Sequence, residues 1–253
     1  VLNATNYAMN GTSNNEYRHQ IEHSSLIRED LVDCSQTLDM IHSIRGYFPT
    51  YYQTDYEQIY SDAWLEWSIN RYSIPERNMH AYVETDYTYP FNNASYNWKS
   101  SNINPFLSIW GLVTRKAFDI NGTIHDPHPW VANHTISVEQ ALRMITNEGA
   151  YAVKQENYTG SLEVGKFADL IIVSDNPYTS SPDDLWQIEV LYTMVGGKSE
   201  YKAENLTIGV NHAEEWSMFS ISGFPLYFLI GVSAVLVFVE LHHYKTKKIK
   251  FGT

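Results

Sequence analysis

The feature that most constrains the fold is an alternation of strand-like and helix-like segments through the first half of the chain. Residues 18–27 (Arg-His-Gln-Ile-Glu-His-Ser-Ser-Leu-Ile) read as a short strand running into a loop. Residues 28–39 carry Leu31, Cys34 and Leu38 at helical spacing. Met40 to Ile44 suits a buried strand, and a Tyr-rich loop with Pro49 follows. In 57–72, Ile59, Tyr60, Ala63, Trp64 and Trp67 make one helical face. His80 to Val83 is another short strand, ending at Glu84-Thr85-Asp86. Asn104-Pro105 then opens a helix through Phe106, Ile109, Trp110 and Val113. Strand and helix in strict turn is the rhythm of a parallel sheet with crossover helices. The expected class is α/β.

Ser137-Val-Glu-Gln140 has the form of a capping box and opens an amphipathic helix through Ala141, Leu142, Ile145 and Tyr151. Beyond it the texture changes. Gly160 to Gly165 leads into Lys166-Phe-Ala-Asp-Leu-Ile-Ile-Val173, a turn followed by a β run. Val190 to Val195, the turn Gly196-Gly197, and Lys198 to Tyr201 read as a hairpin. The expected organisation is 1–154 for the α/β part, 155–203 for a small β unit, and 204–217 for a linker.

Phe219 to Val239 is a run of 21 residues without a charge. As a helix it would be roughly 31 Å long, the thickness of a bilayer's hydrocarbon core. Lys245, Lys247, Lys248 and Lys250 follow it. The run therefore predicts a transmembrane helix over 218–240 in contact with lipid, with a basic cytoplasmic tail over 241–253. A buried core helix is the competing reading, disfavoured by the cationic flank. The remainder would then be extracellular or lumenal. Seven Asn-x-Ser/Thr sequons agree, at Asn3, Asn10, Asn93, Asn121, Asn133, Asn157 and Asn205. They predict a glycoprotein. Before Ser217 there are 13 basic residues against 28 acidic ones, a surface that repels phosphate backbones and excludes nucleic acid as a partner. Cys34 is the sole cysteine, so neither an internal disulfide nor a Cys-rich zinc motif can form. The sequence opens at Val1 with no signal-peptide pattern; a processed precursor, a second gene product or an incomplete sequence would each account for that.

The string Gly160-Ser-Leu-Glu-Val-Gly-Lys-Phe-Ala-Asp-Leu-Ile-Ile-Val173 closely resembles a signature of the metal-dependent amidohydrolase superfamily. Val195-Gly-Gly-Lys198 resembles that family's last hairpin. In the string, Gly165 suits a tight turn, Ala168 close packing, and Leu170 to Val173 a buried strand. Three more stretches are similar to the branch containing N-substituted formamide deformylases. They are Ile21-Glu-His23 with Leu26-Ile-Arg28, Thr85-Asp86 with Pro90, and Asn104-Pro105 through Arg115. The resemblance runs over about residues 18–202. It implies the C-terminal half of a (β/α)8 barrel, strands six to eight, beside a small β domain. It also implies zinc or another divalent metal at the barrel's C-terminal mouth. His23 matches the strand-six metal ligand, and Asp86 the strand-eight aspartate that binds metal and takes a proton from the attacking water. Such a metal acidifies water, and a nearby carboxylate can accept the proton. Taken alone, a His after a strand is more often structural, and Asp86 suits a loop or a helix cap. Glu84 and Thr85 depart from the family's small residues. His19, His42, His125 and His128 read as structural or solvated, and Arg115 either as a pocket residue or as half of an ordinary ion pair.

The family's His-x-His pair, its bridging lysine or carboxylate, and its strand-five histidine have no counterpart here. Half a barrel leaves open sheet edges. The expectation is that a partner supplies the N-terminal half, as a cleaved fragment or a separate chain, within a possible larger assembly. Completed in this way, the protein would hydrolyse an amide or cyclic-amide C–N bond in a small-molecule substrate left unspecified. The alternative is a catalytically inactive amidohydrolase-fold subunit that serves a structural or binding role in a membrane complex.

Overall fold

A computed structural model describes residues 1–10, 12, 16–46, 67, 73–84, 104–118, 123–204 and 206, and the backbone of 226–231 and 234–239. The predicted alternation is present. Strand β1 (Gln20–Ile21), helix α2 (Glu29–Thr37), β2 (Ile41–Arg45), β3 (Ala81–Glu84) and α3 (Pro105–Thr114) follow in that order. Helix α1 (Leu2–Met9) precedes them in a stretch that reads as polar; Leu2 and Met9, one stripe apart, are its buried residues. The predicted helix over 57–72 lies outside the described residues, except for Trp67.

The three strands form one parallel sheet in the order β1-β2-β3. Gln20 pairs with Ile41, and His42, Ser43, Ile44 and Arg45 pair with Ala81, Tyr82, Val83 and Glu84. Because side chains alternate along a strand, this register sorts the residues between two faces. Ile21, His42, Ile44, Ala81 and Val83 share one face. Gln20, Glu22, Ser43, Arg45, Tyr82 and Glu84 share the other, with Ile41 at its base. The apolar face meets the helices. Val32, Ile44, Ile74, Ala81, Phe106, Leu107 and Trp110 belong to one buried cluster. Helix α3 is buried from Phe106 through Leu112. Asn104 caps it by accepting the Phe106 N–H at 3.0 Å, and Pro105 takes the first turn, where a missing N–H costs nothing. In α2, the sequence pointed to Leu31, Cys34 and Leu38 as the inner face. The structure buries Val32 and Ser35 instead and exposes Leu31, because Ser35 must reach a histidine on β2.

The capping box at Ser137 is formed. Its Oγ accepts the Gln140 N–H at 3.1 Å, and Gln140 Oε1 accepts the Ser137 N–H at 3.0 Å. The helix it opens is not continuous through Tyr151. It breaks at Thr146 (φ −118°, ψ −100°) into α4 (Val138–Ile145) and α5 (Asn147–Ala152). Thr146 is β-branched, and its hydroxyl donates to the Arg143 carbonyl at 3.2 Å, competing with the helical ladder. The break turns α5 back towards β1 and β3. Arg18 donates to Glu156 at 2.8 Å and to the Tyr151 carbonyl at 2.5 Å, and stacks over the Tyr151 ring. On β3's entry, His80 binds Glu148 at 2.7 Å, which raises the imidazole pKa.

The β unit is as expected in outline: β6 (Leu170–Val173), β7 (Val190–Val195) and β8 (Lys198–Lys202) are antiparallel neighbours. Between β3 and this unit, β4 (Ala117–Phe118) and β5 (Ile124–His125) make a short antiparallel pair. A 3₁₀ turn, Pro182–Gln187, buries Leu185 beside α3; the Phe118 ring lies 5.0 Å from both Trp110 and Trp186. Asp169 accepts the Gly196 N–H at 2.7 Å and the Thr159 hydroxyl at 3.0 Å, tying the signature loop to the hairpin turn. Two details differ from expectation. Ala168 is exposed, and Leu170 to Ile172 are half-buried, with Val173 alone fully buried.

The largest difference is at the C-terminus. The sequence predicts one transmembrane helix over 218–240; the structure has two strands, β9 (Leu226–Gly231) and β10 (Ala234–Val239). They form a hairpin, and β10 pairs in parallel with β6, extending that sheet to five strands. The physical reason lies in composition. The segment is rich in Val, Ile, Phe and Tyr, which favour strands, and Gly231 stands at the turn. Among the described residues no helix is long and apolar enough to cross a membrane.

The close approach in the signature falls on Gly160 rather than Ala168. Gly160 has φ +81°, and an added Cβ would stand 2.6 Å from the Ala150 Cβ on α5. Gly160→Ala is expected to lower the stability of the chain by about 1–3 kcal/mol, through backbone strain and overpacking together. Urea denaturation of the variant against the parent measures this; an unchanged midpoint would contradict it.

Candidate functional site

Three parallel strands end on the same side of their sheet, so the groups that follow them are brought together. β1 is followed by Glu22 and His23, β2 ends at Arg45, and β3 ends at Glu84. His23 and Ser24 both have left-handed backbones, φ 66° and φ 40°. Neither is glycine, so each conformation costs on the order of 1 kcal/mol and needs fixing by its surroundings. The His23 N–H donates to Ser43 Oγ at 2.7 Å, and Ser43 Oγ donates to Glu22 Oε2 at 2.9 Å. Ser24 Oγ bonds to His42 Nδ1 at 2.7 Å, and His42 Nε2 bonds to Ser35 Oγ at 2.6 Å. His42, Ser35 and Ser43 are wholly buried. A buried imidazole thus links α2, β2 and the His23 turn. Of the two readings left open for His42, structural or solvated, its burial and its two hydrogen bonds match the first.

The His23 ring bonds through Nδ1 to Glu84 Oε1. Arg45 Nε lies 3.5 Å from the same oxygen. The Glu84 and Arg45 side chains are 13% and 15% exposed, that of His23 41%. The ring therefore opens outwards from a more buried ion pair. Further down the same face, Tyr82 donates to Gln20 Oε1 at 2.8 Å and lies 3.3 Å from both Glu22 oxygens. Burial, then the Glu22 charge, pushes the Tyr82 phenol up to about 12.

Of the predicted site residues, His23 stands at the expected strand end. Asp86 lies outside the described residues, so its distance to His23 is not described. Glu84 is the residue that sequence reasoning passed over. It looked like a departure from a pattern, and nothing local indicated that it faces His23 across β2. Arg115, read as a pocket residue or as half of an ion pair, is wholly buried, and its Nε donates to the His134 carbonyl.

The donor set was compared with the divalent metal that the resemblance implies. Glu84 occupies Nδ1, which leaves Nε2 of His23 as a nitrogen for a metal, and carboxylates and imidazoles are the ligand types zinc takes. The residues fit as part of such a set. Among the described residues no group of three or more His, Cys, Asp or Glu is gathered to complete it. Four sequon asparagines are described, Asn3, Asn10, Asn133 and Asn157, and all four are exposed. Asn93, Asn121 and Asn205 lie outside the described residues.

Residues 6–201 match the model of the Amidohydrolase family. Protein LONG AFTER FAR-RED 3 of Arabidopsis thaliana is 35% identical over 106 residues, 41% of this chain and 17% of that protein. N-substituted formamide deformylase of Arthrobacter pascens is 31% identical over 74 residues, 29% of this chain and 14% of that protein. The chain thus matches less than a fifth of the length of these curated relatives. The crystal structure of an uncharacterized metal-dependent hydrolase from Pyrococcus furiosus is similar over 65% of this chain and 30% of that one, with 22% identity and a TM-score of 0.43.

Burial pushes the His42 imidazole down to about 4. In an unfolded chain the same group takes up its proton near 6.5. Between those values the unfolded state binds more protons than the folded one, so stability is complete above ~6.5 and falls with pH to ~4. The loss attributable to His42 is about 3 kcal/mol over that window. Urea titrations at pH 7 and 4.5 on the parent and on His42→Gln check this; the variant is expected to lack that share of the pH slope.

Proposed function

Since the chain belongs to the amidohydrolase family, we propose that it takes part in metal-dependent hydrolysis of an amide or cyclic-amide C–N bond, once a partner chain supplies the N-terminal half of the barrel. The observation that carries the proposal is the collection of His23, Arg45 and Glu84 at one end of three parallel strands. A divalent ion bound there, zinc or another, would polarise a carbonyl and acidify water. His23 would hold it through Nε2. Asp86, two residues beyond the end of β3, would accept a proton on its carboxylate. Arg45 carries a permanent positive charge beside Glu84 and limits the negative charge of the site. The substrate is a small molecule whose pocket walls would come in large part from the partner.

A second reading is an inactive amidohydrolase-fold subunit of a membrane complex. Arg45 favours it, because a guanidinium beside the His23–Glu84 pair already supplies a cation there. Metal analysis of the native assembly separates the two. Stoichiometric metal that is lost in His23→Ala supports the hydrolase. Asp86→Asn is then expected to reduce hydrolysis by about 10²–10⁴-fold with the assembly intact. Undiminished turnover would refute the role given to Asp86.

We also propose that the chain is a single-pass glycoprotein with its main part extracellular or lumenal and its basic tail cytoplasmic. The sequons and the charge-free run 219–239 with its four following lysines support this. The bilayer helix and the β9–β10 hairpin are mutually exclusive states of one segment. Glycosidase treatment of native material should increase gel mobility, and alkaline carbonate should leave the chain in the membrane pellet. Full release by carbonate would favour the hairpin and end the anchor proposal.

A further inference from the structure

The geometry points to Glu84 as the residue that sets which nitrogen of His23 faces the open end of the strands. It is a positioning residue, and the inference rests on the preceding reading of His23 as a metal-binding group. A carboxylate accepts hydrogen bonds and does not donate them. Its bond to His23 Nδ1 therefore requires a proton on Nδ1. In a neutral ring that leaves the lone pair on Nε2, the nitrogen away from Glu84. The ring of an unconstrained histidine is not held in this form.

The surroundings show that the pair is built, not incidental. Glu84 sits opposite Arg45 in the β2–β3 register, and Arg45 Nε stands 3.5 Å from the Oε1 that meets His23. The carboxylate is thus held from the strand side. His23 is held at its backbone by Ser43, 2.7 Å from its N–H, and its left-handed turn is braced through Ser24 by buried His42. The main chain is fixed from β2 and the ring from β3. The Nε2 edge belongs to a side chain that is 41% exposed, so a ligand can reach it. Metal-binding histidines ordinarily give their other nitrogen to a carboxylate or carbonyl, which fixes tautomer and ring angle and strengthens the ligand. Glu84 meets that description from a strand end where the sequence suggested no role for it.

The test has a metal-free and a metal arm. Long-range ¹H–¹⁵N correlation on the ¹⁵N-labelled full chain, at about pH 8 where an ordinary imidazole is neutral, reports each histidine's tautomer. The His23 signal is identified among the ten histidines by its loss in His23→Gln. The expected result is Nδ1–H at His23 in the parent chain, conversion to Nε2–H in Glu84→Ala, and retention of Nδ1–H in Glu84→Gln, whose amide oxygen can still accept. The other histidine signals serve as the folding control and should stay in place. An Nε2–H tautomer in the parent, or no change in a folded Glu84→Ala, overturns the inference. If Glu84→Ala fails to fold, the parent and Glu84→Gln spectra still decide it.

Titration of the native assembly with Co(II), each substitution being made in this chain, supplies the second arm. Glu84→Ala should weaken binding by about 10- to 100-fold, and His23→Ala should remove it. Co(II) affinity unchanged in His23→Ala, or absent in the parent, overturns the metal reading and leaves the tautomer result standing. Affinity lost in His23→Ala but unaltered in Glu84→Ala, with the tautomer also unaltered, overturns this inference and spares the metal reading.

Discussion

The parallel register of β1, β2 and β3 is the constraint on which the site depends. With a period of two, one register assigns every side chain of the sheet to a face. Here that assignment puts Ile44, Ala81 and Val83 against the helices and Ser43, Arg45, Tyr82 and Glu84 on the opposite side. A slip of one residue would turn Arg45 and Glu84 into the core and expose Ile44. Burying charged side chains, even a pair of them, among apolar ones costs several kcal/mol in desolvation, so the hydrophobic core and the polar site fix the same register. Parallel direction then does the rest, because it brings the three strand ends to one side.

A second layer of control lies behind the sheet. His23 occupies a conformation that L-residues avoid, and the structure stabilises it from the rear instead of through the site. Ser35 on α2, His42 on β2 and Ser24 in the turn form a buried chain of hydrogen bonds at 2.6 and 2.7 Å. Such a chain is strong because each member is satisfied and shielded from water. It also explains why the inner face of α2 is Val32 and Ser35. One position of that helix is spent on a polar partner for His42, and the helix rotates to deliver it. The short-range demand of the turn therefore reaches the orientation of the helix that follows it.

Much of this was legible in the sequence, and what was not has a common cause. The strand–helix rhythm, the Asn104-Pro105 start, the Ser137 capping box and the Gly196-Gly197 hairpin are local signals, and local signals survive folding. His23 was singled out through a pattern that carries its own spacing. Glu84 was missed because its meaning depends on β3 lying in register beside β2, 61 residues from His23 along the chain. The break at Thr146 was missed because the apolar spacing continues across it while the hydroxyl interrupts the ladder. The close approach fell to Gly160 and not to Ala168 for the same kind of reason: which small residue meets α5 is decided by where α5 turns. The apolar run at the C-terminus is a different case. Length and lack of charge suit a bilayer helix, while β-branched and aromatic content suits strands, and β6 offers an edge for the second choice.

The polar face of the parallel sheet bears on what can pack against it. Among the described residues, β1 and β3 each pair with β2 alone. Gln20, Glu22, Tyr82 and Ser43 already bond to one another across the face, and an apolar surface laid over them would leave their remaining hydrogen-bonding capacity unmet. Whatever lies over this face must therefore bring polar side chains or water to its middle. The polar residues of this face are thus arranged for a wet centre and not for a packed core.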